Sequence, residues 1–455
     1  MIILVICLFI LKFVIGLLLL DLFWKTENWA LFFLKSGLSI GVGLGISSLT
    51  YFFHLLLFSG KPYFIYFEVA ILIILICIRH KKGWSFQKPK LEALTPVQIA
   101  IAIVAAVVVS ISLLGLANYV FHRQEGDWDA WMIFNRAARS IYRDPELWRE
   151  AFSKDLDTIF HADYPPMLAM NIAANWEVLG ADSVYVPIIE SVLFTIACGM
   201  ALTFALAYQK SVAQAGLGMI LIMGAKSFIS EGGRQTADIP LAFFMLASVI
   251  FFFLYYHERQ PFSIILAGFC AGLAAWTKNE GTLFLLAVGL AAATISIREK
   301  SAKALFFLAA GTILPLVAVL YFKFQVAPPS EFSQGNIQTQ VLDISRHGFI
   351  LTSFKNTFLR FGAHNIKGLL PLLVAYGILA SSKNKLTSNE FLFTSCILVI
   401  QISGYYFIYL ISPYDLEWHI NYSISRLTAQ VYPIFVYLVL YLSKTPEALF
   451  ASNAE

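Results

Sequence analysis

Several charged side chains stand in short clusters bounded by apolar sequence, and their types suit proton transfer and anion binding. Gly126-Asp127-Trp128-Asp129-Ala130-Trp131 sets two carboxylates beside two indoles. A carboxylate at the edge of an apolar run suits a general base, taking a proton from a sugar hydroxyl while a leaving group departs. The same aspartates suit helix capping, because Asp is favoured at the cap and in the first turn. Trp128 and Trp131 fit a membrane-interface belt or stacking on a sugar ring. Lys278-Asn279-Glu280-Gly281 places a charged pair between two apolar stretches. So close to hydrocarbon, that pair serves either function or a mutual salt bridge closing a tight turn. Arg234 and Asp238 pose the same choice, and His419 and Arg426 follow near the end of the chain. Arginine is the natural bidentate partner of a phosphate, so Arg234, Lys278 and Arg426 are candidates to converge on one anionic group.

The elements that must position these residues are membrane spans. The chain has 455 residues, 59% hydrophobic and 13% charged, with a mean hydropathy of +0.73. Soluble domains carry about one-quarter charged residues, which excludes a soluble enzyme. A spanning helix needs roughly 20 mostly apolar residues, and the sequence predicts about thirteen such stretches. They fall near 2–20, 30–58, 62–78, 97–120, 184–208, 213–229, 237–256, 262–277, 282–297, 304–323, 366–381, 391–411 and 427–443. Lys12 interrupts the first, and the long, glycine-rich 30–58 is able to tilt or break. Met1 to Leu20 lacks a basic leader and a small-residue cleavage site, so it reads as a retained span. Cys7, Cys77, Cys198, Cys270 and Cys396 all lie in apolar stretches without metal-type spacing and read as packing residues.

Lysine and arginine in the short loops set the orientation. Arg79-His80-Lys81-Lys82, with Lys88 and Lys90, should be cytoplasmic. Alternating from there puts Lys210, Arg259, Arg298, Lys300, Lys303, Lys383, Lys385 and Lys444 on that side as well. The opposite short loops and span ends hold fewer: Lys61, Lys226, Arg234, Lys278 and Arg426. All the clusters able to do chemistry then face outward, so the protein is expected to work at the outer membrane–water interface. The long outer segment 121–183 should contain an interfacial helix. Trp131, Phe134, Ala138 and Ile141 share one face of it, while Arg136, Arg139 and Arg143 point toward lipid phosphates. A second such helix is expected within 325–365.

Of the outer histidines His122, His161, His347, His364 and His419, only His161 with Asp163 suggests a metal pair, and two potential ligands make weak support for a divalent metal. We therefore expect no cofactor. No Gly-rich phosphate loop, nucleophile elbow or zinc-protease signature occurs. The net charge of +4 and the absence of a basic run interleaved with aromatics argue against nucleic acid.

Asp129-Ala130-Trp131 through Asn135 and Arg139 resembles the first-loop motif of the GT-C glycosyltransferases, of the glycosyltransferase family 39 type. Asp163-Tyr164-Pro165 with Trp176, Arg234 with Asp238-Ile239-Pro240, and Lys278-Asn279-Glu280-Gly281 are similar to the same group. So is the ending Trp418-His419, Ser425-Arg426-Leu427, Gln430 and Pro433; together the motifs cover roughly 97–443. The resemblance implies a polytopic enzyme that takes a sugar from a polyprenyl-phosphate carrier. It implies Asp129 as catalytic base with Asp127 second, Lys278, Arg234 and Arg426 as phosphate ligands, and Asp163 or Asp238 as a further acidic group. His419 and Glu280 join the candidate substrate-binding set. In that family the aspartate loop usually follows the first span; here it follows the fourth, which makes the first three spans an addition.

The expected fold is an all-α polytopic membrane protein with a GT-C-like core and interfacial helices in its outer loops. We divide it into an N-terminal extension (1–95), a catalytic module (96–300) and a C-terminal module (301–455). The expected activity is inverting transfer of one sugar from a polyprenyl-phosphate donor to a glycan, lipid or protein acceptor. The expected site is the periplasmic face of a bacterial inner membrane. A polymerase or ligase of lipid-linked glycan, and a transporter or flippase of lipid-linked sugar, are the alternatives. The latter would need polar groups near the midplane, whereas the charges here sit at span ends, Lys12 excepted.

Overall fold

The computed structural model describes residues 1–24, 28–58, 61, 63–83, 93–153, 161–330, 337–362, 368–381 and 385–451. Lys88, Lys90, His364 and Lys383 lie outside the described residues. Every apolar stretch expected to span is helical, and the fold is all-α. The first three helices are α1 (Ile2–Asp21), α2 (Trp29–Phe58) and α3 (Phe64–Lys82), followed by the long α4 (Pro96–His122). The loop helices α5 (Asn135–Arg143) and α6 (Met167–Leu179) lead into α7 (Tyr185–Gln209). Next come α8 (Val212–Met223), α9 (Lys226–Gly233), α10 (Asp238–Glu258), α11 (Pro261–Thr277), α12 (Asn279–Glu299) and α13 (Lys303–Gln325). The chain closes with α14 (Ile337–Leu342), α15 (Ile344–Arg360), α16 (Leu369–Leu379), α17 (Asn389–Leu410), α18 (Leu416–Leu442) and α19 (Pro446–Ala451).

Among the described residues nine helices are long and apolar enough to cross a membrane, or ten if α8 and α9 form one broken span. That is fewer than expected, and the differences have local causes. The stretch 213–229 is not one helix: α8 and α9 are bent by 62°. The break falls at Gly224-Ala225, where apolar sequence gives way to the polar Lys226, Ser227, Ser230 and Glu231. α11 and α16 are 17 and 11 residues long, short of a full crossing. α3 lies outside the nine; it holds a buried glutamate, Glu68, and ends on Arg79-His80-Lys81-Lys82.

α10 is the axis of the bundle: each residue from Asp238 to Leu254 is buried. α11 packs against α10 and α13, and α2 packs against α1 and α7. α4 is at the opposite extreme. Its Ile99, Ile103, Val107, Ile111 and Leu114 are exposed, as expected of a helix whose solvent is lipid. One end of the bundle collects the groups expected on the cytoplasmic side. Asp21 binds Lys35 at 2.7 Å and Arg79 at 2.5 Å. Tyr208 bonds Glu258 at 2.8 Å, and Lys210 bonds the Ser443 carbonyl at 2.7 Å.

At the other end the 121–183 segment folds back on the bundle. Phe134, Ala138 and Ile141 turn inward as their spacing requires, while Trp131 stays exposed. The arginines of this segment find protein partners. Arg139 binds Glu125 at 3.0 Å and Asp182 at 3.4 Å, Arg143 binds Asp182 at 3.1 Å, and Arg136 donates to the Met132 carbonyl. The acidic residues that take them lie far off in sequence, so the helical face alone pointed to lipid. In the second expected loop, α15 docks on α17 and α18, with Arg346 donating to the Tyr409 and Ser412 carbonyls.

Candidate active site

The site is assembled from four connections at this end. In the first, Gly126 has a φ of +77°, and a Cβ there would lie 2.6 Å from the Arg234 carbonyl oxygen. Only glycine lets the two loops touch this way, and the Asp127 N–H then donates to that carbonyl at 3.1 Å. The Asp127 carbonyl in turn accepts from the Ala130 and Trp131 N–H groups, starting a π-helical turn over Ala130–Phe134. Asp129 precedes that turn, yet its carboxylate caps nothing. Its Oδ2 meets Arg426 Nη1 at 2.6 Å, and its Oδ1 accepts from the Tyr422 hydroxyl at 3.0 Å.

The second connection joins α11 to α12 through one extended residue, Lys278. The helices can meet so abruptly because Gly281 sits against the end of α11; a Cβ there would stand 1.8 Å from the Ala274 carbonyl oxygen. Lys278 Nζ reaches Asp238 Oδ1 and Glu280 Oε1, both at 2.9 Å, and lies 5.6 Å from the centre of the Tyr164 ring. Burial works against the ammonium charge, but Asp238 and Glu280 outweigh it and raise the Lys278 pKa above the usual lysine value.

Asp238, at the start of α10, is completely buried and saturated with donors. Lys278 and Gln430 (2.6 Å) share Oδ1, while Arg426 (2.9 Å) and Thr236 (3.1 Å) share Oδ2. A carboxylate offers about four lone-pair directions, and all are taken. Asp238 thus acts as the post on which Lys278 and Arg426 are mounted. The fourth connection supplies Asp163, which accepts from Asn279 at 2.8 Å, with Lys323 Nζ at 3.9 Å. His161 stacks on Tyr164 with ring centres 4.7 Å apart. His161 and Gln235 both hold a positive φ (+50° and +60°), a conformation disfavoured for bulky residues and common beside functional sites.

These groups surround a cavity of about 590 Å³. Asp129, Lys278, Glu280, Arg426 and His419 line it, together with Asn279, His161 and Tyr164. Ile408, Ile411, Leu427, Trp128, Tyr414, Trp418 and Tyr422 give it an apolar and aromatic part, with Ser330 and Ser423 beside them and the Trp418 and Tyr422 rings stacked at 5.7 Å. Not all the sequence candidates converge here. Arg234 binds Asp127 at 2.9 Å and Glu231 at 2.8 Å, beside the cavity and outside its lining. Asp127 also pairs with Arg123. Asp163 and Asp238 stand behind the lining rather than in it. His161 and Asp163 have different partners, and among the described residues no group of three or more His, Cys, Asp or Glu is placed to hold a metal. Tyr422, Tyr164, Asn279 and Lys323 were not singled out from sequence. For Tyr422 a signal existed: Trp418, Tyr422, Arg426 and Gln430 recur every four residues and so share one helical face.

The chain is thus a multi-pass helical membrane protein in which a buried cluster of shared ions borders a half-apolar cavity. Residues 162–319 match the family model described as dolichyl-phosphate-mannose-protein mannosyltransferase, a family of membrane glycosyltransferases, in agreement with the resemblance drawn from the motifs. No curated protein and no solved structure matches the chain. The matched stretch holds Asp163, Arg234, Asp238, Lys278 and Glu280, while Asp129 and Arg426 lie on either side of it.

Proposed function

We propose that the protein transfers a sugar from a polyprenyl-phosphate donor to an acceptor hydroxyl, with inversion, in the cavity between Asp129 and Lys278. The observation that carries this reading is that the Asp129 carboxylate and two cations, Lys278 and Arg426, line the same cavity as apolar Ile408, Ile411 and Leu427. The donor phosphate sits against Lys278 and Arg426, whose donors are not all used by their carboxylate partners. The first isoprene units lie on Ile408, Ile411 and Leu427. The Asp129 carboxylate, aimed by Arg426 and Tyr422, takes the proton of the acceptor hydroxyl as that oxygen attacks the anomeric carbon. The carbon–oxygen bond to phosphate breaks, and polyprenyl phosphate leaves with the bonding pair. Its added negative charge develops beside Lys278 and Arg426, held in place beforehand by Asp238.

In this reading residues 96–300 supply the base and Lys278, and 301–455 supply Arg426 and the apolar wall. The loop-bearing end is periplasmic in a bacterial inner membrane, supported by the bias of lysine and arginine toward the other end. The acceptor is a glycan, lipid or protein hydroxyl. The test is consumption of radiolabelled polyprenyl-phosphate monosaccharide in detergent by wild type and Asp129→Asn. Turnover by wild type alone, with the donor still bound by the variant, supports the assignment. Equal turnover by both sinks Asp129 as the base, and no turnover by either sinks the transferase reading.

A further inference from the structure

The three N-terminal helices meet the site through buried side chains that the proposed transfer does not use. Ser48 of α2 is fully buried. Its hydroxyl donates to the Met167 carbonyl at 3.0 Å and accepts from the Trp276 indole N–H, also at 3.0 Å. Met167 follows Tyr164 by three residues and begins α6; Trp276 precedes Lys278 by two and lies in the last turn of α11. Lys278 Nζ lies over the Tyr164 ring, 5.6 Å from its centre, and both residues line the cavity. One hydroxyl on α2 therefore ties together the two segments that bring this pair into register. Phe52, one turn further along, packs edge-on against Trp276 at 4.9 Å and Trp148 at 5.8 Å.

The same helix, α6, is gripped farther along. Lys12 of α1 donates to Asn175 at 3.0 Å and pairs with Glu68 of α3 at 3.4 Å. Ser47 donates to the other Glu68 oxygen at 2.6 Å, and Tyr51 donates to Glu177 at 2.9 Å. Asn171 donates to Glu190 of α7 at 3.0 Å. Away from water such bonds cannot be exchanged for solvent, so they fix geometry as well as hold helices together. Lipid contact alone would have been served by apolar side chains at all these positions.

We propose that α1, α2 and α3 form a positioning clamp for the cavity, with Ser48 as the positioning residue that sets Tyr164 against Lys278. The proposal rests on the transferase reading for its kinetic arm only. Ser48 touches no cavity-lining group and acts through Trp276 and Met167.

The experiment compares full-length wild type, Ser48→Ala, Ser48→Thr and Trp276→Phe by two readouts. The first is hydrogen–deuterium exchange of peptides covering 161–170 and 274–284. The second is kcat and KM on polyprenyl-phosphate monosaccharide. Ser48→Ala and Trp276→Phe are each expected to raise exchange in both peptides and leave the rest of the chain unchanged. Each should lower kcat by about five- to tenfold with donor KM held within about twofold, the loss of one (Trp276→Phe) or two (Ser48→Ala) buried hydrogen bonds in a positioning role. The double variant should lose no more than Ser48→Ala alone, because Ser48→Ala already removes the one bond that Trp276→Phe removes. Ser48→Thr, which keeps the hydroxyl, should restore both readouts. Unchanged exchange in the two peptides overturns the clamp whatever the kinetics do. So does a rise spread over the whole chain, which would report general destabilisation. Should wild type consume no donor, the transferase reading fails, while the exchange measurement still decides the clamp.

Discussion

Two of the buried ion clusters in this bundle are built differently. Lys12 and Glu68 form a closed pair: one cation, one carboxylate at 3.4 Å, and neutral Asn175 and Ser47 completing their hydrogen bonds. Around Asp238 nothing is one-to-one. Lys278 is divided between Asp238 and Glu280, and Arg426 between Asp238 and Asp129. Four of those five residues also line the cavity, whereas Lys12 and Glu68 do not. Burial of charge is common to both, so burial cannot mark a site by itself. Shared partners and access to a cavity separate a cluster able to take up a new charge from one that holds helices together.

That comparison is open to attack on both sides. Asp129→Asn should produce the largest change, a fall in donor turnover of about 10²- to 10⁴-fold, the usual weight of a general base. Melting temperature should stay within a few degrees, because Arg426 keeps Asp238 as a partner. Arg426→Lys comes next, with a loss of about 10²- to 10³-fold, since a point charge cannot bridge Asp129 and Asp238 while also meeting phosphate. A thermal shift monitored alongside turnover separates both from simple unfolding.

Lys12→Met should behave in the opposite way. It leaves Glu68 charged and unpaired, at a cost of about 3–5 kcal/mol in stability. The double variant Lys12→Met/Glu68→Leu should recover most of that loss. Recovery of melting temperature in the double variant is the measurement; its absence would mean that Lys12 does more than pair with Glu68. No such recovery is expected at the open cluster, where removing a second charge removes a second working part.

How far the sequence foretold these clusters depends on whether the information is local. The helices were legible because apolar runs of spanning length have no other use, while the break at Gly224-Ala225 was missed although the sequence turns polar just beyond it, at Lys226 and Ser227. Asp129, Lys278 and Arg426 were legible as charges at span ends, and the structure brings those three to one cavity. Arg234 looked equivalent to them from its position, but it pairs with Glu231 one turn back and with Asp127, the latter through a loop contact that glycine at 126 permits. The role of Asp238 as a post was hidden too, since three of its donors, Lys278, Arg426 and Gln430, lie 40, 188 and 192 residues away. Lys12 stood out as an anomaly in its span, yet its partners lie 56 and 163 residues away.

Tyr422 offers the finest cut between the two kinds of cluster. Its hydroxyl donates to Asp129 Oδ1 at 3.0 Å, its ring lies 5.5 Å from the Arg426 guanidinium carbon, and it lines the cavity. Tyr422→Phe keeps the ring, and with it the stacking on Trp418 and the cation–π contact, while removing one hydrogen bond to the base. If that bond only helps hold the loop, the effect should appear in melting temperature and leave turnover untouched. If it aims the carboxylate, kcat should fall by about five- to tenfold, donor KM should hold, and stability should change by less than about 1 kcal/mol. We expect the second outcome, because Asp129 is already anchored by Arg426 and the phenol adds direction rather than attachment. An unchanged kcat would place Tyr422 with Lys12 and Glu68, among the groups that hold the bundle, and would leave Arg426 alone to orient the base.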